Sequence, residues 1–348
     1  MSKEFEDIEK LWKQVKMLMI LIGVMVLVAV LLVVRTSFKS KPTDNYTPVD
    51  SSTLLEVNSK SLDPSTDLWS APKIEDAKNL TEAQKSQLLY GKELISNTSK
   101  YLGPLGSVSK LTNGMNCQNC HLDAGTKPYG NNYGAVFSTY PKYRARSGAV
   151  EDIYKRVSDC FERSLNGVSP EKGSKEMEAI VAYINFNGSN VEKGNKAKGS
   201  GIYELKFLDR PADPVKGKIA YQAKCQSCHQ ANGEGQINPD KVSYQYPPLW
   251  GKSAYNSGAG LYRISRFAGY IKANMPFGVT YQEPQLTDEE AWDIAAYVNN
   301  MPHPGKDISK DWPKIEEKTF DHPFGPFADG FTEVQHKFGP FGPIKKAK

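Results

Sequence analysis

Two short cysteine motifs are the residues in this sequence best suited to chemistry. The stretch CQNCH begins at residue 117, and CQSCH begins at residue 225. C-x-x-C-H is the attachment pattern of c-type haem, in which two thiols form thioethers with the haem and the adjacent histidine ligates the iron. The sequence therefore predicts two covalently bound haem c groups, held by four cysteines and two histidines: Cys117, Cys120 and His121, then Cys225, Cys228 and His229.

Zinc and a redox dithiol are the alternative interpretations of each motif. A structural zinc site needs four ligands in a closed tetrahedron, and the remaining cysteine and histidines, Cys160, His303, His322 and His336, are not spaced as ligand pairs. A redox dithiol accounts for C-x-x-C but not for the histidine that follows it twice. Each motif also lies between two helix patterns, as a small cytochrome c requires.

The sixth iron ligand of the second haem is predicted to be Met275. This residue lies 46 positions after His229, in the stretch NMPFG, and methionine followed by proline is typical of the distal loop of class I cytochromes c. A thioether ligand raises the potential of a haem. The alternatives are that Met275 is a core residue, or that Met301 is the ligand.

In the first half no methionine is placed in that way, and the unpaired Cys160 lies 40 positions after Cys120. A cysteinate ligand donates charge to the iron and lowers its potential. The alternative is a buried cysteine that acts as a small hydrophobic residue.

The surroundings of Cys160 favour a reactive thiolate. On a helix, Arg156, Arg163 and Ser164 share a face with Cys160. Neighbouring arginines favour the thiolate form of cysteine, and their planar forks suit oxyanions. The upstream stretch YPKYRARSG adds further cations, including Arg146, although a solvated basic surface would look the same.

Helix patterns flank both motifs. Thr81 and Gln84 have the spacing of a capping box, as do Thr287 and Glu290. Gly188 is placed as a C-cap. In the first half the expected helices cover about 79–95, 149–166 and 171–187. In the second half one helix runs into CQSCH, a second is broken by Pro276, and a third follows Thr287. No run of alternating strand pattern competes with them.

The chain reads as two divergent copies of one helical unit, divided near residue 200. The dipeptide Ala-Tyr recurs at matching places, 182–183 and 296–297. The sequence thus predicts a mainly α fold with the following domains: 1–36 membrane anchor, 37–78 flexible tether, 79–200 first cytochrome c domain, 201–304 second cytochrome c domain, and 305–348 a Pro-, Gly- and Phe-rich C-terminal extension packed over the second domain as irregular structure.

Residues 17–34 are uninterrupted apolar residues, near the minimum for one membrane-spanning helix. A cleaved signal peptide is the alternative, but no small-residue cleavage site follows the run. Basic residues flank both ends, so charge does not orient the helix. Haem attachment occurs outside the bacterial cytoplasm, which predicts a membrane-anchored protein with its catalytic domains on the periplasmic side. A net charge of +5 without a clustered excess does not indicate a nucleic-acid partner.

The sequence resembles the dihaem c-type thiosulfate dehydrogenases, some of which also act as tetrathionate reductases. The resemblance covers about residues 80–302 and rests on NCQNCHLDAGT, YPKYRAR, DCFERSLNG, YPPLWG and NMPFG. It implies two fused class I cytochrome c-like domains. It also implies a catalytic first haem ligated by His121 and Cys160, substrate binding by Arg146 and Arg156 with Ser164 nearby, and a second haem ligated by His229 and Met275.

The implied reaction couples two thiosulfates to tetrathionate and releases two electrons to an external acceptor, either a cytochrome c-like protein or a quinol-linked one. Some relatives carry a lysine just before the distal methionine, whereas this chain has Asn274 there, with Lys272 close by; a constant His/Met second haem is therefore expected. Two alternatives remain: a tethered dihaem electron carrier without substrate chemistry, and a SoxA-like sulfur-oxidation subunit.

Overall fold

The computed structural model describes residues 3–37 and 67–348 of the chain. It consists of two compact units, Met1–Thr47 and Pro48–Lys348. The described part of the first unit is one helix, α1 (Lys3–Ser37). Within it, Glu9–Ala29 has a mean hydropathy of 1.9 and is long and apolar enough to cross a membrane, by length and composition. A signal sequence at this position would have the same properties.

The second unit is mainly helical. Its α-helices are α2 (Glu82–Ser96), α3 (Thr98–Leu102), α4 (Leu122–Gly125), α5 (Val136–Thr139), α6 (Ile153–Arg163), α7 (Lys175–Asn187), α8 (Pro214–Lys224), α9 (Gln226–His229), α10 (Ile264–Asn274), α11 (Asp288–Asn300), α12 (Glu333–Phe338) and α13 (Phe341–Ala347). Single 3₁₀ turns cover Ile74–Asp76, Cys117–Asn119, Gly260–Tyr262 and Ile315–Glu317.

Two small antiparallel hairpins interrupt the helices, which the sequence did not predict. Strands β1 (Lys142–Arg144) and β2 (Ala149–Glu151) pair so that Lys142 faces Glu151. Strands β3 (Gln236–Ile237) and β4 (Tyr244–Tyr246) form the other hairpin. The helix expected over 149–166 therefore begins only at Ile153. Strands this short carry too few residues to show an alternating pattern.

The two halves repeat one helix crossing. In the first half α2 packs on α7, and in the second α8 packs on α11. A Cβ atom at Gly91 would lie 2.0 Å from the Ala179 carbonyl oxygen, and one at Gly217 would lie 1.8 Å from that of Asp293. Only glycine permits backbones to approach so closely. The matching glycines strengthen the prediction of two copies of one helical unit, because each forms the same contact.

The predicted helix caps are confirmed. Thr81 and Gln84 form a capping box at the start of α2, and Thr287 and Glu290 form another at the start of α11. Gly188 caps α7, which begins at Lys175 rather than at residue 171. Such caps satisfy the amide groups that the first turn of a helix leaves without partners.

The segment predicted as a tether lies partly outside the described residues, which resume at 67. From there the chain packs on the first half. The Trp69 side chain is fully buried, and its backbone amide donates to the Lys198 carbonyl at 2.8 Å. Residues 67–77 are thus part of the folded unit, because Trp69, Ile74 and Ala77 bury apolar surface there.

The C-terminal extension (305–348) packs on the second core through Phe341 and Ile344, as expected. Its structure is not irregular throughout, because it contains α12 and α13. It also reaches the first half, where the Trp312 amide donates to the Arg146 carbonyl at 2.7 Å. Long-range packing of the phenylalanines stabilises these short helices, whose sequence shows little helical periodicity.

Candidate haem centres and thiolate site

A cavity in the first half collects the residues of the first C-x-x-C-H motif. It lies between the first motif and the helix that carries Cys160. Cys117, Cys120 and His121 line one side, while α6 contributes Arg156 and Cys160 to the other. Otherwise apolar side chains dominate its wall, including Ile95, Met115, Val136, Phe161 and Ile184. This is the environment expected for a haem held between a histidine and a residue of the opposite helix.

Both motif histidines present one ring nitrogen to a cavity. The Nδ1 atom of His121 is 2.5 Å from the Asn131 carbonyl oxygen, and that of His229 is 2.9 Å from the Pro247 oxygen. Each carbonyl accepts the proton on Nδ1 and leaves the lone pair of Nε2 free to bind a metal, the arrangement typical of ligating histidines. Burial lowers the pKa of His121 to about 4 and also lowers that of His229. Both rings are therefore neutral, as metal ligation requires.

Helix α6 places Cys160 in the wall of the first cavity together with Arg156 and Ser164. The Asp152 side chain caps this helix by accepting from the Lys155 amide at 2.8 Å. Within residues 67–348, no hydrogen bond or ion pair engages the Arg156 guanidinium. Cys160, when ionised, has the largest influence on the pKa of Arg156 and raises it, against the effect of burial. Arg156 is thus a charged donor available to a ligand.

The other predicted arginines have protein partners. Arg146 Nη2 contacts Asp159 Oδ2 at 2.5 Å, and Asp159 is almost fully buried. Arg163 turns away from the cavity and forms a bidentate pair with Asp311 of the C-terminal extension, at 2.7 and 2.8 Å. The expected common face of α6 is therefore occupied by Arg156, Cys160 and Ser164 without Arg163. The role of Arg146 in substrate binding stays a prediction.

Asp159 is a residue that sequence reasoning did not single out. Its carboxylate also accepts from Lys155 Nζ at 2.5 Å, and positive neighbours lower its pKa although burial raises it. Its position four residues after Lys155 and four before Arg163 was a local signal for ion pairs. Its contact with Arg146 depends on the β1–β2 hairpin, which no local pattern indicated.

The second motif opens onto a larger cavity. Cys225, Cys228 and His229 line it, and Met275 lines it from the end of α10. Met275 follows the last helical residue in extended conformation, and Pro276 ends the helix there. The fallback residue Met301 packs against the same core but does not line the cavity.

The residues at and near the position where some members of the resembled family carry a lysine, Asn274 and Lys272, are both held by contacts with the protein. Lys272 Nζ donates to the Leu286 carbonyl at 2.6 Å and contacts Asp288 Oδ1 at 2.7 Å. Asn274 is fully buried, and its amide donates to the Tyr129 and Tyr270 carbonyls at 3.1 and 2.9 Å.

The two cavities adjoin at the first motif. Asn116 lines both of them, and Gln118 and Asn119 line the second cavity. The Tyr270 hydroxyl of α10 donates to the Asn119 carbonyl at 3.0 Å. The loop that holds the first haem therefore forms part of the wall of the second haem site.

The residues present fit c-type haem better than zinc. Within residues 67–348 and the described part of α1, no group of three or more Cys, His, Asp or Glu side chains could enclose a metal ion. Each motif instead borders a mainly apolar cavity with a neutral histidine on one wall and a sulfur-containing side chain on another. The fold and both sites define a dihaem c-type cytochrome.

Comparison with known proteins also indicates a c-type cytochrome and identifies the family within that class. The family profile "Cytochrome c" matches residues 214–302, and "SoxA/TsdA, cytochrome c domain" matches residues 107–192. The chain belongs to the thiosulfate dehydrogenase family: it is 36% identical over 221 residues to thiosulfate dehydrogenase of Allochromatium vinosum, an alignment that covers 62% of this chain and 78% of that protein. Its two cytochrome c domains each carry a covalently bound haem.

Two further proteins illustrate the extent of the likeness. Thiosulfate dehydrogenase of Psychrobacter arcticus is 40% identical over 207 residues, or 59% of this chain and 62% of that protein. The solved structure of thiosulfate dehydrogenase (TsdBA) from Marichromatium purpuratum superimposes with a TM-score of 0.60 at 30% identity, covering 67% of this chain and 49% of that one. The match thus spans somewhat under two thirds of the Psychrobacter protein and half of the solved chain.

Proposed function

We propose that this protein oxidatively couples two thiosulfate ions to tetrathionate, with Cys160 as the nucleophile in the first cavity. The observation that carries the proposal is the juxtaposition of Cys160 with Arg156, whose guanidinium has no partner within residues 67–348. An electron carrier has no need of an unpaired arginine beside a distal cysteine. An enzyme that binds an oxyanion next to a thiolate does.

The first bond-forming step joins Cys160 to one substrate. The thiolate and the sulfane sulfur of thiosulfate lose one electron each and form Cys160–S–S–SO₃⁻. The step needs acceptors for two single electrons, which the two haems would supply when bound. Arg156 binds the sulfonate group and so offsets the repulsion between the thiolate and the dianion.

The second step releases the product. The sulfane sulfur of another thiosulfate attacks the outer sulfur of the Cys160 adduct, which forms tetrathionate and returns the Cys160 thiolate. Charge balances, because three negative charges stand on each side of this step. Ser164, in the same wall of the cavity, offers a hydroxyl to the bound sulfonate. Both steps can run backwards, so we also propose tetrathionate reduction by the same residues.

His121 and Cys160 would hold the first haem iron, with Cys160 released from the iron before its sulfur bonds to the substrate, and His229 and Met275 would hold the second. The shared wall at Asn116 and Asn119 brings the two sites together. Electrons leave from the second site to an external acceptor, which is a cytochrome c-like or quinol-linked protein. Helix α1 retains the protein at the membrane, with residues 67–348 on the periplasmic side.

The decisive experiment is an assay of the purified holoprotein. We expect thiosulfate-dependent reduction of a one-electron acceptor such as ferricyanide, with one tetrathionate formed for each two electrons. Tetrathionate with a reduced viologen tests the reverse direction. If neither direction runs in the protein alone, the enzyme assignment is wrong. A carrier would then be reduced only by a donor protein, and a SoxA-like subunit would require a partner that bears the acceptor thiol.

A further inference from the structure

Close to the first cavity, three polar side chains form no hydrogen bond within residues 67–348. Within the described part of the chain, the buried hydroxyl of Tyr140 forms no hydrogen bond, nor does either carboxylate oxygen of Glu151. The third group is the Arg156 guanidinium. A buried polar group without a partner is costly, so several at one place indicate a ligand.

The charges around Tyr140 are unbalanced. Burial, together with the positive charges of Arg144, Lys196 and Arg156, lowers the pKa of Lys142 to about 8. The one carboxylate that acts on Lys142 is Glu151, which lies opposite it in the hairpin. Two cations of the hairpin, Lys142 and Arg144, thus lie next to the one carboxylate Glu151. The nearby Asp159 gives no compensation, because Arg146 and Lys155 already occupy it.

The hairpin holds these groups in place. Lys142 Nζ lies 4.7 Å from the centre of the Tyr140 ring and 3.3 Å from the Thr139 hydroxyl. Arg144 Nε is 3.8 Å from Glu151 Oε2, beyond hydrogen-bond distance. The Tyr140 amide donates to the Val136 carbonyl at 3.1 Å, and Val136 lines the first cavity together with Arg156 and Cys160. Burial raises the pKa of Tyr140, which keeps its proton and can donate.

We propose that Tyr140 and Arg156, flanked by Lys142 and Arg144, form a second oxyanion subsite beside Cys160. The hydroxyl and the guanidinium donate hydrogen bonds to the anion, and the flanking cations balance its charge. This inference rests on the proposed function, where coupling brings two dianions to one cysteine. The subsite receives the sulfonate of the attacking thiosulfate. A haem propionate has the same oxyanion chemistry and is the other possible source.

Sulfate is the probe that tests the subsite apart from turnover. It presents a tetrahedral oxyanion and has no sulfane sulfur to react. We expect Tyr140→Phe and Lys142→Gln each to weaken sulfate binding to the oxidised holoprotein about tenfold, and to raise the KM for thiosulfate by a similar factor while kcat changes less. Tyr140→Phe removes no intramolecular hydrogen bond, so the fold should not change.

Two matched controls keep the test specific. Tyr143→Phe alters the next tyrosine of the hairpin, whose hydroxyl bonds Glu317 at 2.6 Å. Lys155→Gln removes a cation from α6 that does not line the cavity. Both controls should bind sulfate as the parent does.

The outcomes distinguish a free oxyanion from a haem propionate as the occupant, and they test the subsite separately from the proposed function. Weaker sulfate binding in both variants supports the subsite with a free oxyanion as its occupant, even if thiosulfate turnover proves absent and the proposed function fails. Unchanged sulfate binding with a shifted midpoint potential of the first haem supports the subsite with a propionate as its occupant. If neither property changes in either variant, the subsite does not exist.

Discussion

The two haem cavities differ most in how their cations are paired. In the second cavity, Lys224 lies in the wall but contacts both oxygens of Glu290 at 2.7 and 2.8 Å. In the first, Arg156 has no partner within residues 67–348. The distal residues differ correspondingly, with uncharged Met275 in one and ionisable Cys160 in the other. One helical scaffold thus holds a haem site whose cation is paired and another whose cation lacks a partner within residues 67–348, and it is at the second of these that we propose substrate chemistry.

Removal of the Cys160 thiol should have the largest effect on thiosulfate turnover, and none on the attachment of the haems. We expect Cys160→Ala to lower kcat by at least about 1,000-fold, on the order of what loss of a nucleophile costs other enzymes. Both haems should remain attached, because the motif cysteines are intact. Haem content and thiosulfate turnover measured on the same sample check this. Normal turnover in the variant would remove Cys160 from the mechanism.

Loss of the Arg156 charge should have the next largest effect on thiosulfate turnover. Arg156→Gln should lower kcat/KM for thiosulfate by about 10- to 100-fold, because a hydrogen bond to a charged group contributes about 1.5–3 kcal/mol. Lys155→Gln is the matched control, since it removes a neighbouring cation that is paired with Asp159. Equal losses in the two variants would show that only the net charge of the helix matters.

Removal of the thioether should act on the second site alone. Met275→Gly should lower the potential of the second haem, and a fall of about 60 mV slows forward electron transfer roughly tenfold if rate follows driving force. Redox titration and near-infrared thioether bands measure the change. Met301→Leu serves as the control, because Met301 packs on the same core outside the cavity. Unchanged thioether bands in Met275→Gly would identify another ligand.

The smallest effect on activity is expected at the contact between the first half and the C-terminal extension. Asp311→Asn breaks the bidentate pair with Arg163 and should lower the free energy of unfolding by about 1–3 kcal/mol. Denaturant titration measures this. Turnover at moderate temperature should fall only a few-fold, because Arg163 does not line the cavity. A loss as large as that of Arg156→Gln would place Arg163 in the substrate site.

The sequence was most informative where function depends on local spacing. Several features depend only on residues that are close together in the sequence. They are each C-x-x-C-H motif, each capping box, and the end of α10 just before Met275. The ion-pair partners of the arginines could not be predicted from local sequence. Asp311 lies 148 positions from Arg163, and only the folded chain brings them together. Local patterns can propose which cations are near a site but not which of them remain unpaired.

The C-terminal extension has a consequence for the order in which the molecule is completed. A chain that is made from its N-terminus can form the first cytochrome domain before Asp311 exists. Until then Arg163 lacks its bidentate partner, and the Arg146 carbonyl lacks the amide of Trp312. Residues 311 and 312 therefore complete contacts of the first domain after the second domain has been made. Chains without residues 305–348 should hold both haems yet be more readily degraded.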